Sequence, residues 1–435
     1  MFNSHILLIL LLNFIISIFS YQLNIERSII NIDYLIFFVI FIFISHYLHG
    51  ELKVITSIFL LLVIFIDVMS LLIQIFPFLY IEDFFYLVFF FISGPDNYQI
   101  WSLVVVTFVT TIVFVFYNIE YKRIDKKKSI LLLTLFLLIG KSQFSVLVSD
   151  QYSKSKELRS SHKLKSDIKY EYISKDIVEN ISSNSKKILL VVNESWGSTK
   201  DKSIQRSILN PLYQNKENYE YISNGSFKFV GSTVSGELRE LCQKYSNVMN
   251  ITKVDDKEFL DCLPSKLRQQ GYNTYAIHGT DGELYDRKRW YALAGFKNIL
   301  FKNSFTKSRD CKSFSGKCDY DLFEPISNIL ANDEKIFLYW LTLNTHSPYD
   351  DKLFVDGFDC IQHDIKLDSD TCLNLKQQYQ FFYRLSEYVQ DDRMKGVEIY
   401  IVGDHAPPIM SLKDNFNTFK DSEVGWLKFK IKDKL

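Results

Sequence analysis

Four places in this 435-residue chain set a carboxylate or an imidazole directly after a run of strand-forming residues. Ile188–Val192 leads into Asn193-Glu194-Ser195-Trp196-Gly197, and Asn273–Ile277 leads into His278-Gly279. Ile336–Leu343 ends in Asn344-Thr345-His346-Ser347-Pro348, and Val397–Val402 ends in Gly403-Asp404-His405. Ligands of open α/β sheets bind beyond the carboxyl ends of the strands, so the four endings read together as one site. Singly, each would be an ordinary loop residue. Glu194, Asp404 and His405 offer two hard oxygen ligands and an imidazole. That set suits one divalent ion, Zn²⁺ ahead of Mn²⁺, and leaves a position open for a reacting group. A nucleophile candidate lies in Gly231-Ser-Thr-Val-Ser-Gly-Glu-Leu238, where small residues run into a helical pattern. A helix N-terminus presents free N–H groups and a positive dipole end, which suit a phosphate. Read by itself, the segment is an N-cap Ser or Thr sooner than a nucleophile.

The elements that must position these groups follow from patterning. From Lys187 onward, short apolar runs alternate with helical patterns, which predicts an α/β domain with a mainly parallel central sheet over 187–435. Residues 149–186 are rich in Ser, Lys and Glu, with scattered Ile168, Tyr172, Ile173 and Ile177. They predict a linker whose amphipathic turns ride on a membrane surface.

The membrane enters through charge. Fifty basic and fifty acidic residues leave no net charge, so nothing argues for a nucleic-acid partner. Yet residues 1–148 hold only 17 of those 100 charges. A bilayer core needs about 20 mostly apolar helical residues to cross it. The stretches 5–21, 32–49, 53–76, 100–117 and 129–148 qualify, giving a membrane domain of five spans over 1–148. The first has no basic leader and is taken as an uncleaved span rather than a signal peptide. Phe84–Ile92 is too short and is expected to lie in the interface. Lys122, Arg123, Lys126, Lys127 and Lys128 put the 118–128 loop in the cytoplasm, so everything beyond residue 148 is expected outside. Asp67, mid-span, is expected to face a partner or a cavity. All six cysteines (Cys242, Cys262, Cys311, Cys318, Cys360 and Cys372) fall in the outside half. An even number in the exported part reads as a disulfide framework, with local pairing 242–262, 311–318 and 360–372 expected among the fifteen possible connectivities.

The ordered segments Val191-Val-Asn-Glu-Ser-Trp-Gly197, Gly231-Ser-Thr-Val-Ser-Gly-Glu237, Thr345-His-Ser-Pro348 and Gly403-Asp-His405 resemble the motifs of the sulfatase-like branch of the alkaline phosphatase superfamily. With five spans ahead of an exported domain, the chain is similar to its phosphoethanolamine transferases and lipoteichoic acid synthases. Cys311…Cys318-Asp319 and Cys360…Cys372 resemble disulfide-bearing segments of the former. His278-Gly…Tyr285-Asp-Arg287…Trp290-Tyr291…Gly295-Phe296 instead resembles the phosphoglycerol-type enzymes. The resemblance implies Glu194, Thr233, Asp404 and His405 as ligands of one metal, with Thr233 as nucleophile. His346 would contact the phosphate or protonate a leaving group, and His278, Arg287 and Trp290 would bind substrate. Ala406-Pro407-Pro408 departs from the Gly- and Ser-containing stretch common after this Asp-His pair in phosphoethanolamine transferases.

The function implied is transfer of a phospho-headgroup from a phospholipid to an envelope glycan or lipid through a phospho-threonine. Phosphatidylethanolamine is the first choice of donor and phosphatidylglycerol the alternative. A hydrolase releasing sulfate or phosphate is the reading from another enzyme class. It is weakened by the lack of a Cys/Ser-x-Pro-x-Arg setting around Thr233. A non-catalytic scaffold is the third reading, and the intact Glu194, Thr233, Asp404 and His405 argue against it. The expected compartment is a bacterial inner membrane with the catalytic domain in the periplasm.

Overall fold

The computed structural model describes residues 171–179, 185–246, 250–331, 335–347, 349–350, 353–407 and 418–433, with Ile409 and isolated positions before residue 171. The five expected spans, the 84–92 interfacial run and the 118–128 loop lie outside the described residues except at isolated positions. One of these is Asp67, which is buried. Among the described residues, no helix is long and apolar enough to cross a membrane. The chain divides into two compact units, Met1–Glu157 and Leu158–Leu435.

The second unit is built on one eight-stranded sheet. In chain order the strands are β1 (Lys187–Asn193), β2 (Gly197–Thr199), β3 (Tyr219–Lys228), β4 (Asn273–His278), β5 (Asn298–Leu300), β6 (Ile336–Leu341), β7 (Val397–Gly403) and β8 (Phe419–Ile431). β1 lies between β6 and β7, and β4 lies between β6 and β5, all parallel. The near-continuous apolar runs of β1 and β6 are what a strand buried on both faces requires. β8 then runs antiparallel to β7, β2 and β3. The sheet is therefore mixed: the expected parallel block, five strands wide, is extended by an antiparallel ribbon. The cause is legible in β8 itself. Its burial alternates with period two toward its end, as a strand with one wet face does.

Helices cover both faces. α2 (Lys202–Tyr213), α6 (Asp319–Leu330) and α7 (Asp370–Tyr388) pack on Leu189, Val191, Leu338, Trp340, Ile399 and Ile401. On the opposite face lie α3 (Thr233–Cys242), α4 (Leu263–Gln269) and α5 (Arg287–Leu293), with Tyr291 of α5 set edge-on to Tyr339 of β6. The three disulfides are Cys242–Cys262, Cys311–Cys318 and Cys360–Cys372, the local pairing expected.

The short α1 (Lys175–Glu179) lies in the segment expected as a linker. Ile173 and Ile177 are buried within this unit. The Ser174 N–H donates to Glu240 Oε2 at 3.0 Å, and its hydroxyl to the Glu240 carbonyl at 2.7 Å. Lys428 of β8 pairs with Asp176. The apolar side of this turn is thus buried, and Ser174 ties it to α3.

Candidate active site

β1 and β7 are adjacent and in register, so Asn193 pairs with Gly403 and the residues that follow, Glu194 and Asp404, leave the sheet side by side. Ser195 turns the chain there in the left-handed region, φ 53°, and its N–H reaches Asp404 Oδ1 at 2.7 Å. The His405 N–H donates to the same oxygen at 2.7 Å. Glu194 is fixed from behind. Its N–H donates to Thr342 Oγ1 at 2.8 Å, and its carbonyl accepts from Thr345 Oγ1 and, at 3.3 Å, from Gln378 Nε2.

The ligand atoms of Glu194, Asp404 and His405 all lie within 4.8 Å of one another. His405 Nε2 stands 3.2 Å from Glu194 Oε1 and 3.4 Å from Asp404 Oδ2. His405 Nδ1 donates to the Ala406 carbonyl at 2.9 Å, which leaves the Nε2 lone pair facing the carboxylates. Asp404 Oδ2 is buried without a hydrogen-bond donor. Three lone pairs facing one another in a buried space repel unless a cation sits among them, so the donor set fits a divalent ion. Without a cation, protons do that work. Burial, then the neighbouring Asp404 charge, raises Glu194 to about 8. Burial opposes the charging of His405, but Asp404 and Glu194 outweigh it and raise His405 to about 9.

Thr233 opens α3, and the N-cap position belongs to Ser232. Thr233 is thus released from capping, and its Oγ1 lies 3.4 Å from Glu194 Oε1 and 3.5 Å from His405 Nε2. α3 comes this close because Gly236 has no side chain. A Cβ there would stand 2.7 Å from Asp404 Cβ and 2.8 Å from its Cα. His346 follows β6, with its ring centroid 6.4 Å from that of His405. Its Nδ1 donates to the Ser347 carbonyl. Burial, then the charge on His405, lowers His346 to about 4, so it is a neutral imidazole with Nε2 as acceptor.

The remaining expected residues are placed differently. Trp290 is fully buried, its indole N–H donates to the Tyr285 carbonyl at 3.1 Å, and its ring packs on Phe259 and Tyr291. It is a core side chain and not a substrate contact, because no face of it is open. Arg287 commits Nε and Nη2 to Glu237 Oε2 at 3.0 and 2.8 Å. Glu237 Oε1 accepts from the hydroxyls of Tyr291 and Tyr339. Arg287 therefore braces α3 one turn beyond Thr233. His278 Nδ1 carries a proton and donates it to the Leu341 carbonyl at 3.1 Å. Burial and then Arg287 hold its pKa well below the ordinary value. Glu237, Gln378 and Thr342 went unread in the sequence. The i+4 spacing of Glu237 from Thr233 was available as a sign that the two share a helix face.

A model of the Sulfatase family matches residues 187–425. No curated protein matches the chain. Among solved structures, lipoteichoic acid synthase LtaP from Listeria monocytogenes is 17% identical, with 57% of this chain and 66% of that one covered and a TM-score of 0.42. Phosphoglycerol transferase GacH from Streptococcus pyogenes, solved with sn-glycerol-1-phosphate, is 15% identical over 59% and 72%, TM-score 0.42. The integral membrane lipooligosaccharide phosphoethanolamine transferase A from Neisseria meningitidis is 10% identical over 98% and 88%, TM-score 0.43. The family match spans more than half of the chain and runs from β1 into β8, through all four motif segments, and the chain therefore belongs to the Sulfatase family.

Proposed function

We propose that this chain is a membrane-anchored phospho-headgroup transferase that moves phosphoethanolamine from phosphatidylethanolamine to an envelope glycan or lipid. The observation that carries the reading is the convergence of Thr233 Oγ1 with the lone pairs of Glu194, Asp404 and His405 at the N-terminus of a ten-residue helix. A divalent ion held by Glu194, Asp404, His405 and Thr233 would lower the Thr233 pKa and balance charge growing on the phosphoryl oxygens. Thr233 gives up its hydroxyl proton as Oγ1 attacks phosphorus, the bond to the diacylglycerol oxygen breaks, and that oxygen leaves as a hydroxyl by taking up a proton. An acceptor hydroxyl then attacks the phospho-threonine as its proton passes to a base, the bond from phosphorus to Oγ1 breaks, and Oγ1 takes up a proton to restore the Thr233 hydroxyl. Neutral His346, with Nε2 open, suits the base of this second half. The free N–H groups at the start of α3 suit the phosphate.

The expected five spans over 1–148 would hold the exported domain, 187–435 with its 149–186 linker, at the headgroup layer of a bacterial inner membrane. Glycerol phosphate from phosphatidylglycerol is the alternative cargo. Arg287, one of the residues that alternative would use for phosphate, pairs with Glu237.

The test is peptide mass spectrometry of the purified full chain after exposure to mixed phosphatidylethanolamine and phosphatidylglycerol. A phosphoethanolamine adduct on Thr233, absent from Thr233→Ala, is the expected result. A glycerol-phosphate adduct would switch the donor. Neither adduct, with no diacylglycerol released, would overturn the transferase reading.

A further inference from the structure

Beyond the ligand cluster, the loop closed by Cys311–Cys318 is tied to the site by several hydrogen bonds. It lies against the turns that follow β4 and β6. The Lys317 N–H donates to the Gly279 carbonyl at 2.7 Å, and Thr280 Oγ1 to the Phe314 carbonyl at 3.4 Å. On the other side, Ser313, fully buried, donates its hydroxyl to the His346 carbonyl at 2.8 Å. The ring of Phe314 lies 4.7 Å from that of His346. The Lys312 N–H donates to Asp350 Oδ2 at 2.7 Å.

Immediately beyond the disulfide, Asp319 grips the same turn. Its Oδ2 accepts from the N–H groups of Leu343 and Asn344 at 2.8 and 2.7 Å, and its own N–H donates to Asn344 Oδ1 at 2.6 Å. The loop is shaped at a cost. Phe314 and Ser315 both sit at φ 48°, in the left-handed region, where the side chain crowds the backbone carbonyl. Backbone strain of this kind persists only where the surroundings over-determine it, and it clusters at functional sites. At Phe314 the strained backbone turns the aromatic ring onto the imidazole.

We propose that Phe314 and Ser313 are positioning residues for His346, and that the Cys311–Cys318 loop aims the His346 imidazole at the reacting phosphoryl group. The proposal rests on the transferase reading. A ring held by one backbone acceptor at Nδ1 can still pivot about χ1 and χ2. Phe314 closes one side of that arc, and Ser313 fixes the backbone from which the ring projects. Neither residue touches the ligand atoms of Glu194, Asp404 or His405, so their loss spares metal binding.

The test compares Phe314→Ala, His346→Ala and the double variant in the full chain, by turnover of the phospholipid donor, metal content and melting temperature. His346→Ala should lower kcat by roughly 10²–10⁴-fold, the usual range for loss of a positioned acid or base. Phe314→Ala should lower kcat at least ~10-fold with KM and metal content unchanged, Phe314→Tyr should restore it, and the double variant should match His346→Ala alone. Two losses that multiply, or a wild-type rate in Phe314→Ala, would overturn the positioning role. An unaffected His346→Ala would instead strike the part of the transferase reading that uses His346. A second readout needs no turnover: ¹⁵N-histidine NMR should show His346 as a single Nδ1–H tautomer that averages in Phe314→Ala. An identical spectrum in that variant would also overturn the proposal.

Discussion

Metal binding at Glu194, Asp404 and His405 should be a competition with protons, and its pH dependence can be worked from the site. In the metal-free site, Glu194 is raised to about 8 and His405 to about 9, so both bind a proton at neutral pH. Ligands bind metal only in the deprotonated form, so entry of the ion expels those protons. Affinity then rises with pH, with a slope approaching two below pH 8, and levels off above pH 9. Independent titration of the two groups gives roughly a 500-fold gain between pH 7 and pH 9, about 3–4 kcal/mol at ~1.36 kcal/mol per decade. If the two share one proton, the slope is one and the gain about tenfold per unit. The assay is calorimetric titration of the demetallated full chain with Zn²⁺ in two buffers of different ionisation enthalpy, which counts the protons released. Glu194→Gln should remove one proton from the count at pH 7. No proton release between pH 6 and pH 8, or affinity that falls as pH rises, would refute this account of the site.

Three further outcomes follow from buried contacts. Glu237→Gln leaves the Arg287 guanidinium buried with a neutral partner, and should destabilise the fold by roughly 3–5 kcal/mol, read as a lower urea midpoint. Gly236→Ala drives a methyl into the Asp404 backbone and should cost metal affinity before it costs secondary structure, seen as metal lost with an unchanged circular dichroism spectrum. Asp319, raised to about 7 by burial against the pull of the Asn344 and Leu343 N–H groups, prefers its protonated form in the folded chain. Its contribution is complete below the unfolded pKa of about 4 and is lost as pH rises through 7. Asp319→Asn should therefore flatten the stability profile between pH 5 and pH 8. A profile as steep as that of the native chain would contradict the assignment.

What could be read from the residues was where strands end and what they carry there. Glu194, His346, Asp404 and His405 follow runs whose composition already marks buried strands, and local cysteine spacing was enough to pair all three disulfides. What could not be read was partnership across distance. Trp290 looks like a binding residue in its own segment, and only Phe259, thirty-one positions earlier, and Tyr291 reveal it as core. Arg287 likewise has its role decided by Glu237, fifty residues upstream. β8 lies beyond the final motif, and its alternating pattern, not the motif segments, marks the antiparallel ribbon.

The docking of Ser174 on α3 bears on where this protein can be cut. The family match begins at residue 187, where the first strand starts, and a fragment drawn there would look complete by its sheet. It would lack both donors to Glu240: the Ser174 N–H on Oε2 and the Ser174 hydroxyl on the carbonyl. Glu240 is joined to Arg239, whose Nη2 holds the Gly403 carbonyl at 2.8 Å, one residue before Asp404. The lost Ser174 precedes Glu194 by twenty residues in sequence and stands two hydrogen-bonded side chains from the Gly403 carbonyl beside Asp404 in space. A recombinant catalytic fragment made for crystallography or inhibitor screening should start ahead of Glu171, so that the turn that seals α3 is inherited with the sheet.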